Sequence, residues 1–360
     1  MLKIIDRYII GKFLGTFFLV ITLILAIAIV FDISEKIDNF ITKGASASEI
    51  IFDYYVNFLV YYGNLFSSMI VFIATIFFTS RMTANTEIVA ILTGGVSFKR
   101  MMWPYFIAAT ILAGISFGLG HYIIPKTNAT RLKFQKTYID RETDDRFKNI
   151  HRQIKKGHII YFENYNGDRQ SGYHFTYEVF ENNNLKSKLK ADFIRMDTTT
   201  GHWILDNYVV RTIDENGDEH LKVGRTVDTV LDFKADEIVP KLYTIEMMPT
   251  PELNEFIAAE RIRGSENLNY YLIEKYKRTS WPVSTYILVL IGVSIASKKT
   301  RGGLGLNIAI GLAACVGYIF FMQISTTFAT LGNFSPLMAV WLPNIVFSFI
   351  AIYLYFIAPK

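Results

Sequence analysis

Five stretches of this sequence carry no formally charged residue, and any fold must bury or dissolve them. They are Phe13–Phe31 with 19 residues, Tyr54–Ser80 with 27, Met101–Pro125 with 25, Thr279–Ser297 with 19 and Gly302–Pro359 with 58. A helix needs about 20 apolar residues to cross the hydrocarbon core of a bilayer. The first four stretches suit one span each. The fifth is too long for one, and Gly332-Asn333-Phe334-Ser335-Pro336 punctuates it with helix-breaking residues. The pattern predicts an α-helical membrane protein with six transmembrane helices, three on each side of a polar middle. Composition agrees: only 19% of residues are charged, against roughly 25% in soluble domains. A single cysteine excludes a disulfide scaffold and a Cys-based zinc module.

The charges outside the middle sort by side. The N-terminus (Lys3, Asp6, Arg7, Lys12), the loop after span two (Arg81, Glu87, Lys99, Arg100), the loop after span four (Lys298, Lys299, Arg301) and Lys360 hold ten basic and two acidic residues. The loop Asp32–Asp53 holds two basic and five acidic residues. Lys and Arg in short loops stay on the cytoplasmic side. Both termini are therefore expected inside and the middle outside. The middle, Lys126–Arg278, holds 25 basic and 25 acidic residues. No basic patch is left over for nucleic acid. The first apolar stretch is longer than a signal-peptide core and lacks a small-residue cleavage site after it, so it reads as a retained helix.

Within the middle, Gly157–Glu163, Tyr173–Phe180, Lys188–Met196 and Trp203–Arg211 are rich in aromatic and β-branched residues. Turn clusters at Asn164–Asp168, Asn182–Asn184, Thr198–Gly201 and Asp214–Asp218 separate them. Short strands at about ten-residue spacing predict an inserted all-β domain, a sandwich or jelly roll. Helical pattern returns at Thr250-Pro251, and Asn267–Lys277 leads into span four. The chain thus divides into 1–125, 126–278 and 279–360.

Catalytic signatures are missing. No phosphate loop, dinucleotide fingerprint or His-Glu-x-x-His spacing occurs, and Cys315 reads as packing. Asn128-Ala129-Thr130 matches a glycosylation acceptor by chance if the cell is bacterial. No charge lies inside a span, as proton- or ion-coupled carriers usually require. The chain is expected to be no enzyme and to bind no metal, and any transport would draw its energy from a partner.

Arg81–Arg100 is the most informative segment. Asn85 or Thr86 can cap a short helix, and Glu87 suits its positive end. Ile88, Ile91 and Leu92 form an apolar stripe, whereas Glu87, Ala90 and Gly94 form a smooth side bearing one carboxylate. Gly94-Gly95 ends the helix, and Ser97 can cap the next. Such a helix can dock into a groove on a soluble protein, with Glu87 meeting an arginine. It can equally rest on lipid headgroups.

Thr86-Glu87-Ile88-Val89-Ala90-Ile91-Leu92-Thr93-Gly94-Gly95-Val96-Ser97 resembles the coupling-helix segment of the LptF/LptG permeases, and Asp6-Arg7-Tyr8-Ile9 is similar to the LptG branch. The arrangement of three spans, a β domain and three spans is similar across the whole chain. The resemblance implies a lipopolysaccharide export permease whose outside domain is a β-jelly roll. It implies a coupling helix at about 84–95 that docks on a cytoplasmic LptB-like ATPase dimer through Glu87, Ile88, Ala90, Ile91, Leu92, Gly94 and Gly95. Further partners it implies are a second LptF/LptG-type permease, an LptC-like lipid acceptor and lipopolysaccharide. ATP and magnesium would sit on the ATPase, with no cofactor in this chain. Spans one and five, the latter with Gly305, Gly311 and Gly317, would line a lipid cavity. The LptG branch carries lysines for lipid phosphates near the end of span one, where this chain offers only Lys36. Lys126, Arg131, Lys133 and Lys136 follow span three as a second basic cluster for headgroups, or as a solvated linker helix. An exporter of another lipid or of a lipoprotein, or a membrane sensor with a ligand-binding β domain, are the alternatives.

Overall fold

A computed structural model of the chain describes all residues but 1–2, 140–145, 168, 183, 215–216, 234, 239–241, 266, 299–302, 333 and 359–360. Lys299, Arg301, Lys360, Asn333, Asp168, Asn183, Glu215 and Asn216, used above in the charge and turn patterns, lie outside the described residues.

Helix α1 spans Ile4–Thr42, and a π-helical segment, Glu49–Tyr55, runs into α2, Val56–Leu65. Next come α3 (Ser67–Ala84), the short α4 (Glu87–Thr93) and α5 (Phe98–Gly118), which continues through a second π-helical segment into α6 (Ile124–Tyr138). Six strands follow: β1 (Arg146–Lys155), β2 (His158–Asn166), β3 (Ser171–Glu181), β4 (Asn184–Met196), β5 (Trp203–Ile213) and β6 (Glu219–Thr229). The chain closes with α7 (Ala235–Ile238), a 3-10 segment at Leu242–Met247, α8 (Thr250–Ile262), α9 (Leu268–Ala296), α10 (Gly303–Leu331) and α11 (Pro336–Ile357). Among the described residues, six helical runs are long and apolar enough to cross a membrane. They lie three before and three after the strands, as the charge-free stretches predict. The fold is an α-helical membrane protein with an inserted all-β module.

Two compact units result. One comprises residues 1–139, 246–251 and 269–360, the other 140–245 and 252–268. In the helical unit α3 is the central helix. Its Ile70, Val71, Ala74 and Phe78 pack with Phe13 and Phe17 of α1 and with Tyr105, Ala108 and Ala109 of α5. Its Phe72 and Ile76 pack with Leu288 and Ile291 of α9, Tyr318 of α10 and Phe347 of α11. Lipid tails are as apolar as leucine, so burial alone does not hold spans together; close packing and interhelical hydrogen bonds do. Both are present. The hydroxyl of Thr83 donates to the Ala296 carbonyl at 2.6 Å and that of Ser68 to the Trp281 carbonyl at 3.1 Å. A Cβ added at Gly292 would lie 2.9 Å from Thr75 Cγ2 and 3.3 Å from Phe72, so glycine is what lets α9 approach α3. Gly292→Leu is therefore expected to destabilise the helical unit by about 1–3 kcal/mol, the usual cost of overpacking. Thermal unfolding in detergent should show it, with Gly114→Leu, where a Cβ meets nothing within 4 Å, as the tolerated comparison.

Several helices outrun their charge-free stretches. α1 keeps going through Asp32, Glu35 and Lys36, helped by the Asp32–Lys36 ion pair one turn apart. α9 begins well before its apolar part and carries Glu274, Lys277 and Arg278.

In the other unit every strand pairs antiparallel with its chain neighbour, giving one sheet in the order β1-β2-β3-β4-β5-β6. The connectivity is thus an up-and-down meander. Alternation buries one face: Ile160, Phe162, Phe175, Ile194 and Leu205 are all but inaccessible. Trp203, Phe233, Ala235 and Ile238 belong to the same core. Arg152 on β1 is locked to Glu260 on α8 by a two-pronged ion pair, also donating to the Ile238 carbonyl at 3.2 Å.

Candidate functional site

α3, α4 and α5 meet at a tight joint. Thr86, between α3 and α4, sits at φ 61° and ψ 8°, a left-handed conformation that a β-branched residue seldom adopts. Neither Asn85 nor Thr86 caps α4 with its side chain. The Thr86 hydroxyl turns back to the Asn85 carbonyl at 2.6 Å, and Asn85 Nδ2 donates to Glu87 Oε1 at 3.2 Å. Gly95, at φ 86°, ends the segment, and Ser97 accepts from the Arg100 backbone N–H, capping α5 as its position suggests.

The apolar stripe of α4 faces its own bundle. Ile88 is 1% exposed, and Ile91 and Leu92 pack on the core formed by α1, α3 and α5. What remains on the surface is the smooth side: Val89, Ala90, Thr93, Gly94 and Gly95 are exposed, and Glu87 is half-buried at its edge. The stripe and the smooth side therefore have different jobs. Ile88, Ile91 and Leu92 anchor the helix, whereas Glu87, Ala90, Gly94 and Gly95 are what another molecule can reach.

Glu87 has a neighbour that local pattern does not disclose. The Tyr8 hydroxyl of α1 donates to Glu87 Oε2 at 3.0 Å. Two residues earlier on α1, Asp6 is gripped by Arg100 of α5 in a bidentate pair, with Nη1 to Oδ1 at 2.7 Å and Nη2 to Oδ2 at 2.6 Å. Asp6 is buried and also accepts from the Lys3 backbone N–H. The first turns of α1 are thus pinned to both α4 and α5. Asp6-Arg7-Tyr8-Ile9 stands out in the sequence by resemblance, yet its contacts with Glu87 and Arg100 lie 79 and 94 residues away.

The basic residues singled out for headgroups divide. Lys36 is partly buried, pairs with Asp32 and donates to the Tyr54 hydroxyl at 2.6 Å, while Tyr55 donates to the other Asp32 oxygen at 3.1 Å. Arg131 is 5% exposed; its Nε donates to Asn128 Oδ1 at 2.8 Å and its guanidinium covers the Tyr61 ring at 4.5 Å. Both are built into the helical unit. Lys126, Lys133 and Lys136 are exposed. Lys133 borders a pocket that also carries the carboxylates Glu49 and Asp53.

A polar chamber of about 350 Å³, bordered by Tyr61, Glu246, Glu274, Lys277, Arg278 and Gln323, has no signature in the local sequence. Glu246 accepts from Asn128 Nδ2 at 3.0 Å. Burial first, and the neighbouring Glu274 next, push its carboxyl above the usual range. Arg278 donates to the Met248 carbonyl at 2.8 Å. The charged residues come from the 3-10 segment and α9, and only the fold brings them together with Tyr61 of α2 and Gln323 of α10. A separate apolar pocket of about 210 Å³ is lined by Phe17, Ile21 and Leu25 of α1, Leu59 of α2, Val71 of α3 and Leu112 of α5. Of the small residues in span five, Gly311 leaves no room for a Cβ beside Ile76, while a Cβ added at Gly305 or Gly317 would meet nothing within 4 Å. Cys315 is buried, as expected of packing. No group of three or more metal-ligating side chains occurs among the described residues.

A search of curated proteins finds no match to the chain. The sequence profile of the lipopolysaccharide export system permease LptF/LptG, in contrast, matches residues 7–356. That match runs from the first turn of α1 to the last turn of α11 and takes in the Glu87 joint, the strands and all six membrane helices. With this span, the chain belongs to the LptF/LptG family, a multi-pass membrane component of lipopolysaccharide export rather than an enzyme.

Proposed function

We propose that this chain is the permease subunit of an ATP-binding-cassette transporter that extracts lipopolysaccharide from the inner membrane and hands it to a periplasmic bridge for outer-membrane assembly. The observation that carries the reading is the state of α4. Its apolar stripe is consumed by its own bundle, so its smooth side with Glu87 is presented as a rigid key for a soluble partner. ATP and magnesium belong to that partner, an LptB-like dimer. The charge asymmetry of the short loops supports a cytoplasmic location for α4 and both termini, and a periplasmic one for residues 126–278.

In this mechanism the closing ATPase dimer moves α4, and α3 and α5 move with it because Ile88, Ile91 and Leu92 are packed into their shared core. The apolar pocket between α1, α2, α3 and α5 supports a place for acyl tails. Lys126, Lys133 and Lys136 are the exposed cations for anionic headgroups, with Lys36 and Arg131 acting through the tyrosines they hold. A second LptF/LptG-type permease would cover the long apolar flank of α1, of which little is buried. Strand β6 is paired on one side only among the described residues and exposes Leu221 and Val223, which suits an LptC-like acceptor adding its own strand.

The test is purification of the chain from its native membrane in mild detergent, followed by mass spectrometry of co-purifying protein and lipid. An ATP-binding-cassette subunit together with lipopolysaccharide is the expected result. A different bound lipid would reassign the cargo, and absence of any such ATPase would overturn the reading.

A further inference from the structure

The contact between Tyr8 and Glu87 links two elements that the docking mechanism treats separately. Both ends rest on fixed supports. On α1, Tyr8 lies between the buried Asp6, clamped by Arg100, and Ile9, which is fully buried. On α4, Glu87 adjoins Ile88, likewise buried. The donor and acceptor are therefore presented by rigid backbone, unlike the two mobile chains of an ordinary surface pair. Among the described residues this is the one side-chain hydrogen bond between α1 and α4.

The carboxylate geometry leaves room for a third group. Tyr8 bonds Oε2 and Asn85 bonds Oε1, one donor to each oxygen. A carboxylate offers about four acceptor positions, so two remain for a planar guanidinium. An unheld glutamate would lose rotamer freedom on meeting such a partner; this one has already lost it.

We propose that Tyr8 is a positioning residue for Glu87: its hydroxyl presets the carboxylate for a cationic side chain of the partner and makes α1 a third element that α4 carries with it. The inference rests on the docking role proposed for Glu87 and adds a route of force. A partner that moves Glu87 moves α3 and α5 through the core under α4, and moves α1 through Tyr8. Because α1 also lines the apolar pocket with Phe17, Ile21 and Leu25, the phenol ties the partner's motion to the wall of that pocket.

The experiment compares Tyr8→Phe, Glu87→Gln and the double variant in the complete transporter, reconstituted in proteoliposomes containing lipopolysaccharide. ATP hydrolysis and lipid release are measured on the same samples, with the amount of assembled complex as a check on folding. Tyr8→Phe removes one oxygen from a half-exposed ring and should assemble normally. Lipid released per ATP hydrolysed should fall by about 5–10-fold, and the double variant should be no worse than Glu87→Gln alone, since Tyr8 acts only through the charged carboxylate that Glu87→Gln removes. A merely structural role would lower assembly and leave that ratio intact. If Tyr8→Phe keeps the wild-type ratio while Glu87→Gln loses it, the positioning role is overturned and docking through Glu87 stands. If Glu87→Gln also keeps the ratio, the docking reading itself fails and takes the Tyr8 role with it.

Discussion

Glu87→Ala is expected to insert and fold like the parent chain yet lose lipid export. Its folding cost is small, because Glu87 lies at the rim of α4 and its two bonds, to Tyr8 and Asn85, are exposed; surface changes of this kind stay within about 0.5 kcal/mol. Its docking cost is large. Truncating one member of a desolvated, hydrogen-bonded charge pair at an interface costs about 2–5 kcal/mol, roughly 30-fold to several thousand-fold in occupancy. Membrane yield, co-purification of the ATPase and lipopolysaccharide extraction measured together separate the two costs. Extraction at the parental rate would remove Glu87 from the coupling role.

Glu260→Ala should strongly destabilise the β unit. Glu260 is fully buried, and it neutralises Arg152, itself 7% exposed, as well as receiving Arg263 Nη1 at 3.2 Å. Removing the carboxylate strands a buried guanidinium. Breaking a buried pair from one side costs about 3–5 kcal/mol, whereas replacing both partners with apolar residues is often neutral or better. The single variant should therefore expose β1 and α8 to protease at temperatures where the parent resists. Arg152→Met/Glu260→Leu should recover most of that resistance. If the single variant were as resistant as the parent, the pair would not be holding α8 to the sheet.

These expectations depend on contacts of two kinds, and they were unequally visible beforehand. The six spans could be read from charge alone, because a bilayer forbids what an aqueous surface tolerates. The strands could be read from aromatic and β-branched runs between turn clusters. Their pairing order could not, since spacing constrains where a strand lies and says nothing of its neighbour. Ile88, Ile91 and Leu92 illustrate a further limit: periodicity shows that a face is apolar, and the fold alone shows that α1, α3 and α5 are what cover it. Lys36 and Arg131 read as available cations; Asp32, Tyr54 and Tyr55 enclose the first, and Asn128, Tyr61 and Tyr62 the second. The chamber bordered by Tyr61, Glu246, Arg278 and Gln323, like the Tyr8–Glu87 bond, joins residues whose separation hides them from any local window.

The central place of α3 has a consequence for biogenesis. Its hydrogen bonds to Trp281 and Ala296 close over 213 residues, and the glycines that let neighbours approach it closely, Gly292 and Gly311, belong to helices made after the strands. At about 5–20 residues per second of translation, α3 waits about 10–40 s for the neighbours that complete its packing. Throughout that interval Thr75 and Thr83, on the side that α9 will cover, face lipid or an insertion chaperone, their hydroxyls satisfied only by their bonds to the carbonyl four residues back. A nascent chain stalled before α9 is thus a half-built bundle, the form that membrane quality control is best placed to recognise and remove.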